Sequence, residues 1–84
     1  MSNGHSEMER KIEKFLAQND ENLHRDIEDK QRSLARVCAE QRENRTRTES
    51  DFQQYVQSVE SQIQQIRDKY AQRARETVAG IRGS

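Results

Sequence analysis

The chain has 84 residues, 15 basic and 15 acidic side chains, 36% charged and 30% hydrophobic residues, and neither Trp nor Pro. A self-sufficient globular core is excluded: a compact domain of this size is already marginal in apolar burial, and this one falls below the usual apolar share. With zero net charge and only three Gly, at positions 4, 80 and 83, disorder is disfavoured as well. What remains is helix whose thin apolar seam is completed by another helix.

Residues 1–6 are small and polar and read as a flexible N-terminal tail. From Met8 the larger apolar residues fall at Ile12, Phe15, Leu16, Leu23, Ile27, Leu34 and Val37. Their steps are mainly four, three and seven, which sets one stripe along one side of a helix. Asn19 and Asn22 interrupt it, so the phase slips before Leu23. A stripe this narrow is a coiled-coil seam rather than the broad face of a globular-domain helix. Acid-before-base pairs four apart, such as Glu28 with Arg32, Asp26 with Lys30 and Glu43 with Arg47, support the exposed side.

The segment from Gln41 to Asp51 lacks strong aliphatics, and two readings of it stay open. In the first, one helix runs through residues 7–79, with Gln41, Arg45 and Thr48 as polar seam residues that fix register. Neither Gly nor Pro forces a turn, and Arg, Glu and Gln are good helix formers, so we expect this long coiled-coil helix. In the alternative, an antiparallel helical hairpin, the first helix ends near Asn44 and the second starts after Thr48 or Ser50. Thr46-x-x-Glu49 and Ser50-x-x-Gln53 both have capping-box form.

Beyond the middle, Phe52, Tyr55, Val56, Val59, Ile63, Ile66 and Tyr70 resume the steps of three and four. Ala74, Val78 and Ile81 then stretch the spacing, as a stutter does. Residues 80–84 read as a flexible C-terminal tail. The fold class expected is all-α, assembling into a multi-helix bundle. The residues expected to carry oligomerisation are Ile12, Phe15, Leu23, Ile27, Leu34, Val37, Phe52, Val56, Val59, Ile63, Ile66 and Tyr70.

Candidate chemistry is sparse. Asp20, His24 and Glu28 line up at four-residue steps, but so charged a face favours a solvated histidine over a metal ligand. Cys38, the single cysteine, lies beside Val37 as a small apolar residue. No nucleophile–base arrangement and no phosphate-binding Gly-rich loop is present, so neither catalysis nor a cofactor is expected. Thr48 follows Arg45 by three and Arg42 by six, a spacing that arginine-directed kinases accept, and phosphate there would add negative charge among arginines. Arg67, Lys69, Arg73, Arg75 and Arg82 outnumber Asp68 and Glu76, a basic band that could hold DNA or an acidic filament surface. No apolar run suits a membrane span or a signal peptide. The expected setting is intracellular, nuclear or cytoplasmic. The expected partners are the chain itself or a homologous coiled coil, with no membrane and no small-molecule substrate.

The Gln-rich stretch from Val37 to Ile63 resembles the core coiled coil of the synaptonemal-complex lateral-element proteins of the meiotic chromosome axis. The likeness lies in Val37, Gln41 and Arg45 at four-residue steps, then Phe52, Gln54, Val56 and Val59. Cys38 and Ile63 stand where Trp is expected in that family. The resemblance implies a multi-helix bundle assembling end to end into filaments that organise chromatin loops, with relatives in the kinetochores of some protists.

Overall fold

The computed structural model describes residues 3–83, with side chains from residue 7 onward, and is a helical hairpin. Helix α1 spans Asn3–Asn44 and α2 spans Glu49–Gly83. The two run antiparallel in a slab of 64 × 17 × 11 Å. All-α architecture with coiled-coil patterning is therefore what the chain adopts. The continuous helix expected through the middle is not: residues 45–48 lie outside either helix, and the hairpin is the form taken. Helix also reaches further toward the ends than residues 7–79. Residues 3–6 and 80–83 continue α1 and α2 rather than forming tails, and residues 1, 2 and 84 lie outside the described residues.

The physical reason for the turn is the seam. A straight helix would leave the stripes of both halves facing water, whereas folding back lets each cover the other for the small entropy of a four-residue connection. Ile12, Ile27 and Val59 fall to 5–6% exposure. Each fully buried aliphatic of this kind contributes roughly 1.5–3 kcal/mol. Phe15, Leu23, Leu34, Val37, Phe52, Val56, Ile63, Ile66 and Tyr70 are half-buried.

Local chemistry then fixes where the chain reverses. The backbone NH of Arg45 donates to the Gln41 carbonyl at 3.0 Å, and Arg45 takes a left-handed φ of 47°. This is the backbone that commonly terminates a helix, adopted here without Gly. Gln41, expected in the seam, instead clasps the loop. Its amide nitrogen donates to the Arg47 carbonyl at 2.6 Å, and its amide oxygen accepts from the Arg47 NH at 3.0 Å. Thr48 caps α2: its hydroxyl oxygen accepts from the Asp51 NH at 3.1 Å, and its carbonyl from Phe52 at 2.9 Å. Neither anticipated capping box is used; the cap is Thr48 alone, through its hydroxyl to the Asp51 NH. Glu49 and Asp51 in the first turn complement the helix dipole.

Candidate interaction surface

The seam is polar at one level, and there it is well partnered. Asn19 is 9% exposed, and its side-chain amide donates to the Tyr70 carbonyl at 3.2 Å. Two turns further along α1, Asp26 accepts a hydrogen bond from the Tyr70 hydroxyl. That bond, with partial desolvation and the repulsion of Asp26 for a phenolate, raises the Tyr70 pKa above its ordinary 10.0. Asn19 therefore belongs to the seam. Leu16, three residues before Asn19 and about 60° from it around the helix, stays 41% exposed.

Leu16 stands in a shallow groove along one flank at the open end of the hairpin. Toward the middle the groove is lined by Ala17, Leu23, Ala71 and Ala74. Toward the ends it continues over Ala74, Val78 and Ala79. Small side chains on α2 keep the floor low, so another helix can approach closely there. Arg67 borders one end and Arg75 and Arg82 the other. Leu16 and these alanines were not among the residues expected to carry association. The signal was present, since Leu16 belongs to the stripe and the 4,4 steps after Tyr70 are occupied by small residues.

The twelve residues expected at an oligomer interface mostly serve the contact between α1 and α2. Those left half-buried border the two flanks, Leu23 on the Leu16 side and Ile66 on the other. The five basic residues of the C-terminal segment are not brought together. At 100° per residue, Arg67, Arg75 and Arg82 fall within roughly 80° of one another, with Lys69 and Arg73 on the far side. Lys69 shares its flank with Lys30. The antiparallel pairing also lays this segment beside an acidic one. Residues 67–82 carry five basic and two acidic side chains, and residues 7–28 carry seven acidic and four basic. The two excesses are equal and opposite.

Other expected chemistry takes simple forms. His24 Nδ1 lies 3.8 Å from Asp20, both well exposed, while Glu28 lies 4.0 Å from Arg32, which also pairs with Asp29 at 3.1 Å. Among the described residues, no three His, Cys, Asp or Glu side chains converge. Cys38 is half-buried and free. At the turn, Arg47 leaves Glu43 and stacks over Tyr55, 4.6 Å from the ring centre. Among the described residues, no helix is long and apolar enough to cross a membrane. No family model, no curated protein and no solved structure matches the chain.

Proposed function

We propose that the chain is a non-catalytic oligomerisation and scaffolding module, in which a second copy of the hairpin lies on the Leu16 groove and completes a four-helix bundle. The supporting observation is surface area. The chain exposes 6800 Å², against roughly 5,200 Å² for a compact monomer of 9.9 kDa. The excess, on the order of 1,600 Å² per chain, is about twice what one partner buries in a standard-size interface, roughly 800 Å². Its apolar share is concentrated where α1 and α2 fail to cover each other. A second copy fits because it brings the same small-residue floor and the same outward Leu16, as a twofold interface requires.

The Gln-rich likeness to chromosome-axis proteins makes a chromosome-associated scaffold, at the axis or at a kinetochore, the first larger assembly to examine. In this chain the helix does not continue through that likeness: Arg45 leaves α1 with left-handed backbone, and the Gln41 side chain, from the last turns of α1, clasps the loop. Binding of DNA or microtubules through the C-terminal arginines is the weaker reading, because the acidic face of α1 lies alongside them.

Light scattering with absolute mass across a dilution series tests the proposal. Mass should double from the monomer value as concentration rises through the micromolar range. A well-folded chain that keeps monomer mass at millimolar concentration would sink it.

A further inference from the structure

We infer that Thr48 is a phosphorylation site for an arginine-directed Ser/Thr kinase, and that the phosphate locks the hairpin tip. The inference concerns the turn alone and does not depend on how hairpins associate.

Three arginines, Arg42, Arg45 and Arg47, gather at the tip, with Glu43, Glu49 and Asp51 beside them in sequence. A shallow basin there is lined by Cys38, Gln41, Phe52 and Gln53 together with four charged side chains: Arg42, Arg45, Arg47 and the single acid Glu49. Among the described residues, none of the three arginines forms an ion pair; the Arg47 guanidinium lies over the Tyr55 ring. At the open end of the molecule, by contrast, the basic excess of α2 is offset by the acidic face of α1.

Thr48 sits next to this basin, exposed and outside both helices. Arg45 precedes it by three residues and Arg42 by six, with Arg47 adjacent. Ser50 also has an arginine three residues before it, but it lies inside α2 between Glu49 and Asp51, whose charges oppose both an acidic-pocketed kinase site and a new phosphate. Thr46 has Glu43 at the corresponding position. Thr48 is thus the hydroxyl that combines exposure, irregular backbone and the basic register. A kinase must loosen only the first turn of α2, which is anchored by the two Thr48 hydrogen bonds described above.

In the transfer, Thr48 Oγ attacks the γ-phosphorus of ATP and a new O–P bond forms. The bond from that phosphorus to the β–γ bridging oxygen breaks, ADP departs, and the hydroxyl proton passes to the kinase's catalytic carboxylate. The product places a phosphate of about −1.5 to −2 charge at the cap position before α2, near Arg42 and Arg45, which form no ion pair among the described residues, and beside Arg47. Charge-assisted hydrogen bonds from guanidinium to phosphate are among the strongest available. They would tie residues on both sides of the reversal and hold the chain in the hairpin rather than the straight helix.

The test incubates the full chain with a purified arginine-directed kinase and ATP, maps the phosphate by mass spectrometry, and measures amide exchange. Phosphate is expected on Thr48. Arg45→Asn, which keeps a residue tolerant of left-handed backbone, should slow incorporation at least tenfold. Exchange at residues 49–52 should slow severalfold on phosphorylation and not in an unphosphorylated control. No incorporation, incorporation confined to Ser50 or Thr46, indifference to Arg45→Asn, or unchanged exchange would each overturn the inference.

Discussion

The Tyr70 hydroxyl donates to the Asp26 carboxylate across the seam, joining residues 44 positions apart, while the backbone carbonyl of the same tyrosine receives the Asn19 amide. One residue of α2 therefore holds two turns of α1, and sliding either helix by a single turn would break both contacts. In a seam made largely of interchangeable aliphatics, this is what sets register. Tyr70→Phe should cost about 0.5–1.5 kcal/mol, the usual worth of such a bond, and Asp26→Asn a comparable amount. The double variant should cost less than the sum, because both remove one interaction. Urea denaturation at fixed chain concentration measures this; strict additivity would show the pair to be uncoupled.

The same bond makes stability pH-dependent in the alkaline range. Since the folded Tyr70 pKa lies above 10.0, the folded chain holds this proton more tightly than the unfolded one. The stabilisation is fully present below the ordinary tyrosine pKa and is lost as pH rises through the raised folded value. Wild type should therefore lose stability more steeply than Tyr70→Phe above about pH 10. Parallel melting curves for the two would contradict the assignment.

The turn rests on a backbone conformation and a cap, and each can be weakened separately. Arg45 in the left-handed region resists a β-branched replacement, so Arg45→Val should destabilise the hairpin by about 1–2 kcal/mol, whereas Arg45→Gly should be near neutral. Thr48→Ala removes the acceptor for Asp51 and should cost about 1 kcal/mol, with Thr48→Ser largely restoring it. Distance measurements between spin labels at both chain ends report the outcome directly. The ends are close in the hairpin, and on the order of 120 Å apart in a straight helix of 81 residues.

How much of this was legible beforehand divides along physical lines. The stripe was legible because burial imposes a period on large side chains, and Ile12, Ile27 and Val59 are where that period put them. The turn was legible only as the alternative, with helix ends near Asn44 and after Thr48 as they are found; the choice of hairpin over rod was not, because its devices are single side chains whose roles depend on what they meet. Gln41 is a good helix former that becomes a clasp only once Arg47 returns beside it. Arg45 offers no glycine to announce a left-handed residue. Thr48 as a cap was readable, yet it competed with two capping boxes nearby. Asn19 looked like a gap in the stripe because its partner, the Tyr70 carbonyl, is a backbone atom no pattern displays.

The division of labour between these two kinds of apolar residue yields the sharpest prediction. Ile27 is buried between the helices and Leu16 lies on the outer groove, so the same charge introduced at each should act on different equilibria. Ile27→Glu places a carboxylate in the seam with no partner and should unfold the hairpin, since burying an unpaired charge costs several kcal/mol. Leu16→Glu leaves the seam intact and should keep the helical circular-dichroism signal while weakening self-association at least tenfold, about 1.4 kcal/mol. Sedimentation equilibrium and circular dichroism on the same samples separate the effects. If Leu16→Glu loses helix in step with mass, the groove and the seam are one cooperative unit, and hairpins do not form before they pair. If it changes neither helix content nor mass, the partner lies elsewhere on the surface, with the Lys30, Ile66 and Lys69 flank next to be tested.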